Sequence, residues 1–374
     1  MSEPFRENPF RLAFGLMRLP KQPDGSIDVP QVCEMADRFI AAGGTYFDTA
    51  YVYDGGDSEK AFKAAVADRY PRDAYTLATK LNATLGATDA ESARREFQVS
   101  LERTGAGFFD YYLLHALQRS TYRKYDEYGL WDYVKEQKAK GLIRHWGFSF
   151  HADPGLLEEL LEAHPDAEFV QLQINYADWE NPGVASRRNW EICKAHGKPV
   201  MIMEPVKGGI LADPIPGVKA IFDAAAPDAS YASWALRFAA GLDNVHAVLS
   251  GMSSLAQMDD NLKTMKGFRP LDESEMLLIR RAQQALDADK SIPCTACHYC
   301  TAGCPMEIPI PEIFNVINRR KGSPEFRTVR EYTIVTTGRG KASSCIACGQ
   351  CEGACPQGLP VISLLQECAS ELEK

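Results

Sequence analysis

Gly43-Gly44-Thr45-Tyr46-Phe47-Asp48-Thr49-Ala50-Tyr51-Val52-Tyr53 is the stretch on which the fold turns. Residues 45–48 read as a short strand, β-branched and aromatic, uncharged until Asp48 at its end. A helical pattern, Val29–Ala42, precedes the paired glycines, and another, Ser58–Ala67, follows the tyrosines. Outward from this βα unit the alternation continues to residue 265. The other strands read as Leu12–Leu19, Tyr75–Lys80, Phe109–His115, Arg144–Ser149, Phe169–Asn175, Pro199–Pro205 and Val245–Gly251. The other helices read as Asp89–Arg103, Trp131–Lys140, Pro154–Ala163, Gly183–His196, Asp228–Ala239 and Ser254–Thr264. Eight β/α pairs in strict alternation predict an α/β fold of the (β/α)8 TIM-barrel type rather than an open sheet. Pro23-Asp24-Gly25 reads as a hairpin turn capping the barrel floor.

A second pattern lies C-terminal to the barrel. Cys294-x-x-Cys297-x-x-Cys300-x-x-x-Cys304-Pro305 recurs as Cys345-x-x-Cys348-x-x-Cys351-x-x-x-Cys355-Pro356, taking eight of the eleven cysteines. This is the bacterial-ferredoxin spacing for two [4Fe–4S] clusters, in which the fourth Cys of each run serves the other cluster. The expected ligand sets are Cys294, Cys297, Cys300 and Cys355, and Cys345, Cys348, Cys351 and Cys304. Structural zinc and disulfides are the competing readings. Zinc usually takes separated Cys pairs, and disulfides belong to oxidising compartments. The expected organisation is a barrel over 1–270, a connecting amphipathic helix over 271–290, and a small α-helical, ferredoxin-like module over 291–374. Cys33, Cys193 and Cys368 fit no ligand spacing, and Cys33 and Cys193 read as small apolar residues on helices.

The chain has 374 residues and a net charge of -9, which argues against a nucleic-acid binder. No apolar run reaches the roughly 18 residues needed to span a bilayer. The first residues, broken by charge and proline, lack a signal-peptide core, so a cytoplasmic, reducing setting is expected. Between the Cys runs, Arg319, Arg320, Lys321, Arg327, Arg330, Arg339 and Lys341 outnumber Glu307, Glu312, Glu325 and Glu331. That basic insert is either solvated surface or a docking face for an acidic electron carrier such as a ferredoxin or flavodoxin.

In a (β/α)8 barrel, chemistry sits at the C-terminal strand ends and the loops after them. Those positions bring together Asp48, Tyr53, Lys80 and His115. A free phenol is a weak acid. An adjacent ammonium is expected to lower the Tyr53 pKa, with Asp48 holding Lys80 in place. An imidazole at His115 is expected to orient a carbonyl oxygen against the phenol. The alternative is a barrel-end ion pair beside a loop aromatic.

These residues resemble the aldo-keto reductase family, and the ferredoxin-like tail resembles its iron–sulfur branch. The stretch 43–53 is similar to the family's first signature, and Lys80, His115 and Gly147-x-Ser149 fall where its pattern puts them. The resemblance covers residues 10 to 265 and implies an oxidoreductase interconverting a small carbonyl compound and an alcohol. It also implies Tyr53 as acid/base, Lys80 and Asp48 as its partners, and His115 as the carbonyl-orienting group. For a nicotinamide cofactor, NADH or NADPH, it implies contacts from Ser149 and Gln173. Ser250-Gly251-Met252-Ser253-Ser254, with Gly251, Ser253 and Asn261, would meet a cofactor phosphate.

The sequence departs from the family's pattern at several of these positions. Phe150 follows Ser149 where the family has Asn, Met203 stands where it stacks an aromatic on nicotinamide, and Gly251 and Gln257 stand where it often has Lys and Arg. A nicotinamide delivers two electrons as hydride, whereas each cluster passes one. A flavin would bridge the two modes, although the chain has no separate flavin motif. A cofactor site fed by the clusters alone is the third option. Two rival functions stay open: an electron-transfer subunit whose barrel is a scaffold, and an ordinary NAD(P)H reductase with structural clusters. Lys207 reads as a rim residue facing an anion or solvent, His151 as a loop histidine or substrate contact, and Trp179 as a pocket wall or loop packing.

Overall fold

The computed structural model describes residues 5, 8, 10–289, 291–320 and 325–373. Eight parallel strands close a barrel in chain order. They are β1 (Leu12–Gly15), β2 (Tyr46–Asp48), β3 (Thr76–Leu81), β4 (Phe109–Leu117), β5 (Ile143–Phe150), β6 (Phe169–Gln173), β7 (Val200–Met203) and β8 (Val245–Gly251). Closure pairs β8 with β1, Leu12 opposite Val248 and Gly15 opposite Gly251.

Strand alternation decides what faces inward. Ala13, Tyr46, Ala78, Tyr111, Leu113, Phe169, Met201, Ala247 and Leu249 fill the barrel interior. The intervening residues pack outward under the helices. Two positions on from Tyr46, Ala78 and Leu113 lie Asp48, Lys80 and His115, so the period that fills the core also aims these three into the barrel mouth.

Several boundaries differ from the expected ones. β1 ends at Gly15, because Leu16–Arg18 form a 3-10 turn ahead of Pro20. The helix expected over 58–67 is α-helical over Asp57–Phe62 and widens into a π turn, with i→i+5 hydrogen bonds, over Lys63–Ala67. A helix at Pro216–Ala225, absent from the sequence reading, lies between β7 and the helix Tyr231–Gly241. It packs on the helix Glu273–Asp287, where Gly217 approaches Ala285.

The hairpin turn forms, with Lys21 bridging Ile27 and Gly25 at φ 87°. It lies on the mouth side and does not cap the floor: it follows β1, and Lys21 pairs with Asp54, next to Tyr53, at 2.7 Å. At the floor, Phe5 stacks on Tyr111 and His145.

The C-terminal module has its own core of Ile308, Ile313, Phe314, Val361 and Leu365 under helices Ile310–Arg319 and Val361–Leu372. The Cys repeat is also conformational. Ala296 and His298 in the first run, and Ala347 and Gly349 in the second, all have positive φ. Such turns swing successive amides to one side, an anion-holding arrangement. Lys321 of the basic insert lies outside the described residues. Among the described residues no helix is long and apolar enough to cross a membrane.

Candidate active site

Lys80, fully buried, donates from Nζ to Asp48 Oδ1 at 2.5 Å and to the Thr49 carbonyl at 2.6 Å. Burial pushes the Asp48 carboxyl up and the Lys80 ammonium down, each opposed by the other's charge. Lys80 Nζ lies 5.0 Å from the centre of the Tyr53 ring. The ring centres of Tyr53 and His115 are 5.7 Å apart, edge to face. The expected tetrad therefore assembles at one point.

Its electrostatics differ from expectation. The Tyr53 phenol is held well above its usual range, first by burial and then by the Tyr299 and Asp48 charges. Lys80 does not lower it, because its hydrogen bonds are engaged with Asp48 and Thr49 beneath the ring. His115 is held well below the usual imidazole range, chiefly by burial and then by the Lys80 charge, so it is neutral at pH 7. His151 stands beside it in the cavity wall, pushed down to about 4 by burial. Both imidazoles carry a buried Nδ1 with no hydrogen-bond partner.

The cavity over the barrel mouth is lined by Asp48, Tyr53, His115 and His151 at one end and by Ser250, Gly251, Ser253 and Asn261 at the other. Among its walls are five residues of the cysteine module: Thr295, Cys297, Tyr299, Pro356 and Gln357. Tyr299, half-buried, lines this cavity together with Tyr53. Nothing in the sequence reading singled out Tyr299 or Gln357. They occupy spacer positions in and after the Cys runs, where only the cysteines carry a signal. Arg18, Gln171 and Glu204 also line the cavity and were not anticipated.

The expected cofactor contacts divide. Gly251, Ser253 and Asn261 reach the cavity. Ser149 and Gln173 are not among its walls. Ser149 Oγ accepts the Ala116 N–H at 2.7 Å, and Gln173 Nε2 donates to Asp178 Oδ2 at 3.0 Å and Gln357 Oε1 at 3.1 Å. The Ser253 N–H is already taken by Gln257 Oε1 at 2.7 Å. Lys207, 5% exposed, is sealed in an ion pair with Asp178 and donates to Gln357 Oε1 at 3.0 Å, so it faces neither solvent nor a ligand anion. Trp179 packs against Trp190 and Phe238.

Module and barrel meet at this mouth. Arg18 donates to the Thr295 carbonyl at 3.0 Å, and Ser120 donates to the Gly353 carbonyl at 3.0 Å. Gly208, φ 62°, lies so close to Thr295 that a Cβ there would sit 2.7 Å from the threonine Cβ. Within the module, one void is walled by Cys294, Cys297, Cys300 and Cys355. A second is walled by Cys304, Cys345, Cys348 and Cys351. Each set of four thiols surrounds a space, with the fourth cysteine crossing from the other run. Among the described residues no three His, Cys, Asp or Glu groups close on a point that would hold a single ion. Four thiolates around a void suit a cubane cluster.

Comparison with known proteins agrees with both parts. The aldo/keto reductase family model matches residues 11–284, and a 4Fe-4S dicluster domain model matches residues 293–359. The structure resembles aldo-keto reductase AKR11C1 from Bacillus halodurans in its holo form, with a TM-score of 0.58 and 23% identity over 73% of this chain and 91% of that one. An aldo-keto reductase from Klebsiella pneumoniae in complex with NADPH gives a TM-score of 0.59 at 20% identity, over 72% of this chain and 90% of that one. Among curated proteins, norsolorinic acid reductase stcV from Emericella nidulans is 38% identical over 76 residues, 20% of this chain and 20% of that relative's length. With its tyrosine, lysine, aspartate and histidine at the mouth of an eight-stranded barrel, and a 4Fe-4S dicluster domain following, the chain belongs to the aldo/keto reductase family.

Proposed function

We propose that this oxidoreductase interconverts a small carbonyl compound and its alcohol in the barrel cavity, exchanging the electrons through its two clusters. The observation that carries the reading is the shared cavity: Cys297, one of the cysteines around the first void, lines the same space as Tyr53 and His115. When bound, the clusters supply electrons singly, and two of them hold the pair a carbonyl needs. Reduction takes two electrons and two protons. Tyr53 gives its hydroxyl proton to the carbonyl oxygen, and water supplies the proton that ends on carbon. His115, neutral, orients that oxygen against the phenol. Lys80 and Asp48 form the rigid base under the Tyr53 ring. Stepwise electron arrival favours a conjugated carbonyl as substrate. Cys294, Cys297, Cys300 and Cys355 would hold the cluster at the cavity, and Cys345, Cys348, Cys351 and Cys304 the outer one, where Cys348 is exposed. The outer cluster would meet a one-electron carrier, a ferredoxin or flavodoxin suiting the basic insert.

A second reading places NADP(H) in the cavity. Solved structures of this fold are in complex with NADPH and with NADP, and the cavity runs on to Gly251, Ser253 and Asn261. Against it stand Ser149 and Gln173, held in internal hydrogen bonds. The test is reduction of benzil to benzoin by the cluster-loaded chain, with dithionite or NADPH as donor. The first reading expects turnover with dithionite, lost in Tyr53→Phe and Cys297→Ser. Turnover with NADPH alone, surviving Cys297→Ser, would select the second. Full activity in Tyr53→Phe would remove the phenol from either.

A further inference from the structure

We infer that Gln171, on the floor of the cavity, is a specificity-determining residue. Its amide oxygen accepts a hydrogen bond from a hydroxyl on the carbon next to the reacting carbonyl, which makes the substrate an α-hydroxy carbonyl compound. This deepens the reading of the cavity as the place of carbonyl reduction and rests on it. Gln171 is 2% exposed and lines the cavity with Tyr53 and His115. Its Oε1 is buried and has no hydrogen-bond partner among the described residues. Its Nε2 is directed at the Met203 thioether, 3.6 Å away, which is a weak acceptor.

Strand register sets this amide beside the tetrad. Leu113, Gly147 and Phe169 pair across β4, β5 and β6. Two positions on along each strand lie His115, Ser149 and Gln171. Ser149 Oγ already accepts the Ala116 N–H at 2.7 Å, and the His115 ring centre is 5.7 Å from that of Tyr53. Around the mouth the order is therefore Tyr53, His115, Gln171. A carbonyl oxygen held between Tyr53 and His115 leaves one substituent of its carbon on the Gln171 side.

The surroundings of the amide are apolar. Phe169 fills the interior below it, Met201 is in register with it on β7, and Leu249 shares the cavity floor. Methionine or leucine at 171 would fill that space without desolvating a polar group, whereas a buried amide oxygen with no partner is destabilising. Asp48 Oδ2 and Glu204 Oε2 line the same cavity and are likewise buried without a partner among the described residues. Amide and carboxylate oxygens accept, so the open positions ask for donors on the ligand. A hydroxyl brings one donor to the one open oxygen of Gln171. An ammonium would need three acceptors, and Leu249 and Met203 stand there instead.

The hydroxyl is recognised and not consumed. Two electrons, passed singly by the clusters, and two protons, one from Tyr53 and one from water, convert the neighbouring C=O into CH–OH, and the product is a vicinal diol.

The test uses the full cluster-loaded chain with α-hydroxyacetophenone and α-methoxyacetophenone. They share the conjugated ketone and differ in the single donor. Binding is read with no electron donor present, by quenching of tryptophan fluorescence, and turnover is read with dithionite. The parent should bind the hydroxy compound about 10–100-fold more tightly and show a preference of the same size in kcat/KM. In Gln171→Met both preferences should vanish. Equal binding of the two compounds by the parent overturns the inference, as does a preference that survives in Gln171→Met. If Gln171→Met fails to load its clusters, Gln171→Glu keeps an acceptor at the position: a retained preference supports the inference and a lost one overturns it. The two levels separate cleanly. A preference in binding with no turnover of either compound removes carbonyl reduction and leaves the hydroxyl site, whereas turnover of both at equal kcat/KM removes the hydroxyl site and leaves the reduction.

Discussion

Lys207→Met breaks the polar cluster that fastens the module to the barrel, and its cost follows from the surroundings of the pair. Lys207 and Asp178 are 5% and 1% exposed, and their ion pair sits within a shell of Gln173, Asn175 and Gln357. Methionine keeps most of the volume and removes the charge. Asp178 then retains only the Gln173 and Asn175 amides, at 3.0 and 2.8 Å, and becomes an uncompensated buried anion. Removing one partner of such a pair costs about 3–5 kcal/mol. At an unfolding entropy of about 2 cal/mol/K per residue, that is a fall in Tm of about 4–6 °C for a chain of this length. The double variant Lys207→Met/Asp178→Asn removes the stranded charge and should recover about 1–3 kcal/mol of the loss. The assay is thermal unfolding of cluster-loaded protein at one fixed scan rate, with iron release to a chelator followed in parallel. Gln357 is two residues from Cys355, so release of the inner cluster should quicken along with the loss of stability. A single variant within about 1 kcal/mol of the parent, or a double variant as unstable as the two single variants added together, would refute the reasoning.

Acid should weaken the fold through the buried histidines. His151 is held near 4 when folded and returns to about 6.5 when unfolded, so its contribution is complete above pH 6.5 and is lost as pH falls toward 4. Urea unfolding should show about 2 kcal/mol less stability at pH 5 than at pH 7 from this residue, and His151→Asn should flatten that slope; an unchanged slope would contradict it. Gly208→Ala places a methyl against Thr295 at a left-handed backbone position and should cost about 1–3 kcal/mol, read as lowered Tm and poorer cluster loading, whereas parental values would mean that the module does not press on this loop. Cys355→Ala should disable the cluster site that contains Cys294, and Cys304→Ala the site that contains Cys345. Each should fall from about eight irons per chain to about four, with a different EPR signal surviving in each; the same signal surviving in both would rule out the crossed ligand sets.

The barrel was legible because its signal is periodic. Eight buried strands with polar ends, separated by helical patterns, leave few other folds, and Asp48, Lys80 and His115 were found because barrel chemistry sits at the C-terminal strand ends. The helix at Pro216–Ala225 was missed because it breaks the one-helix-per-strand rhythm. The hairpin's side was misread because turn chemistry says that a chain reverses, not at which end of a barrel. Ser149 and Gln173 were assigned by resemblance, and their partners Ala116, Asp178 and Gln357 are set by tertiary contacts that no local pattern carries. Tyr299 was hidden for a similar reason. In a cysteine run the spacers have no period, and only the docked structure brings one of them to the cavity wall. The direction of the Tyr53 shift depended on burial, which outweighed the ammonium beneath the ring.

The central claim is that clusters and barrel serve one reaction, and a single-turnover measurement tests it most directly. Cluster-loaded chain is reduced anaerobically with dithionite, freed of reductant, and mixed with benzil while the absorbance near 400 nm and benzoin are followed. The account predicts that the bleached clusters reoxidise, yielding one benzoin for every two electrons withdrawn, and that Tyr53→Phe holds both changes back. Clusters that stay reduced in the presence of benzil, with no benzoin formed, would contradict it.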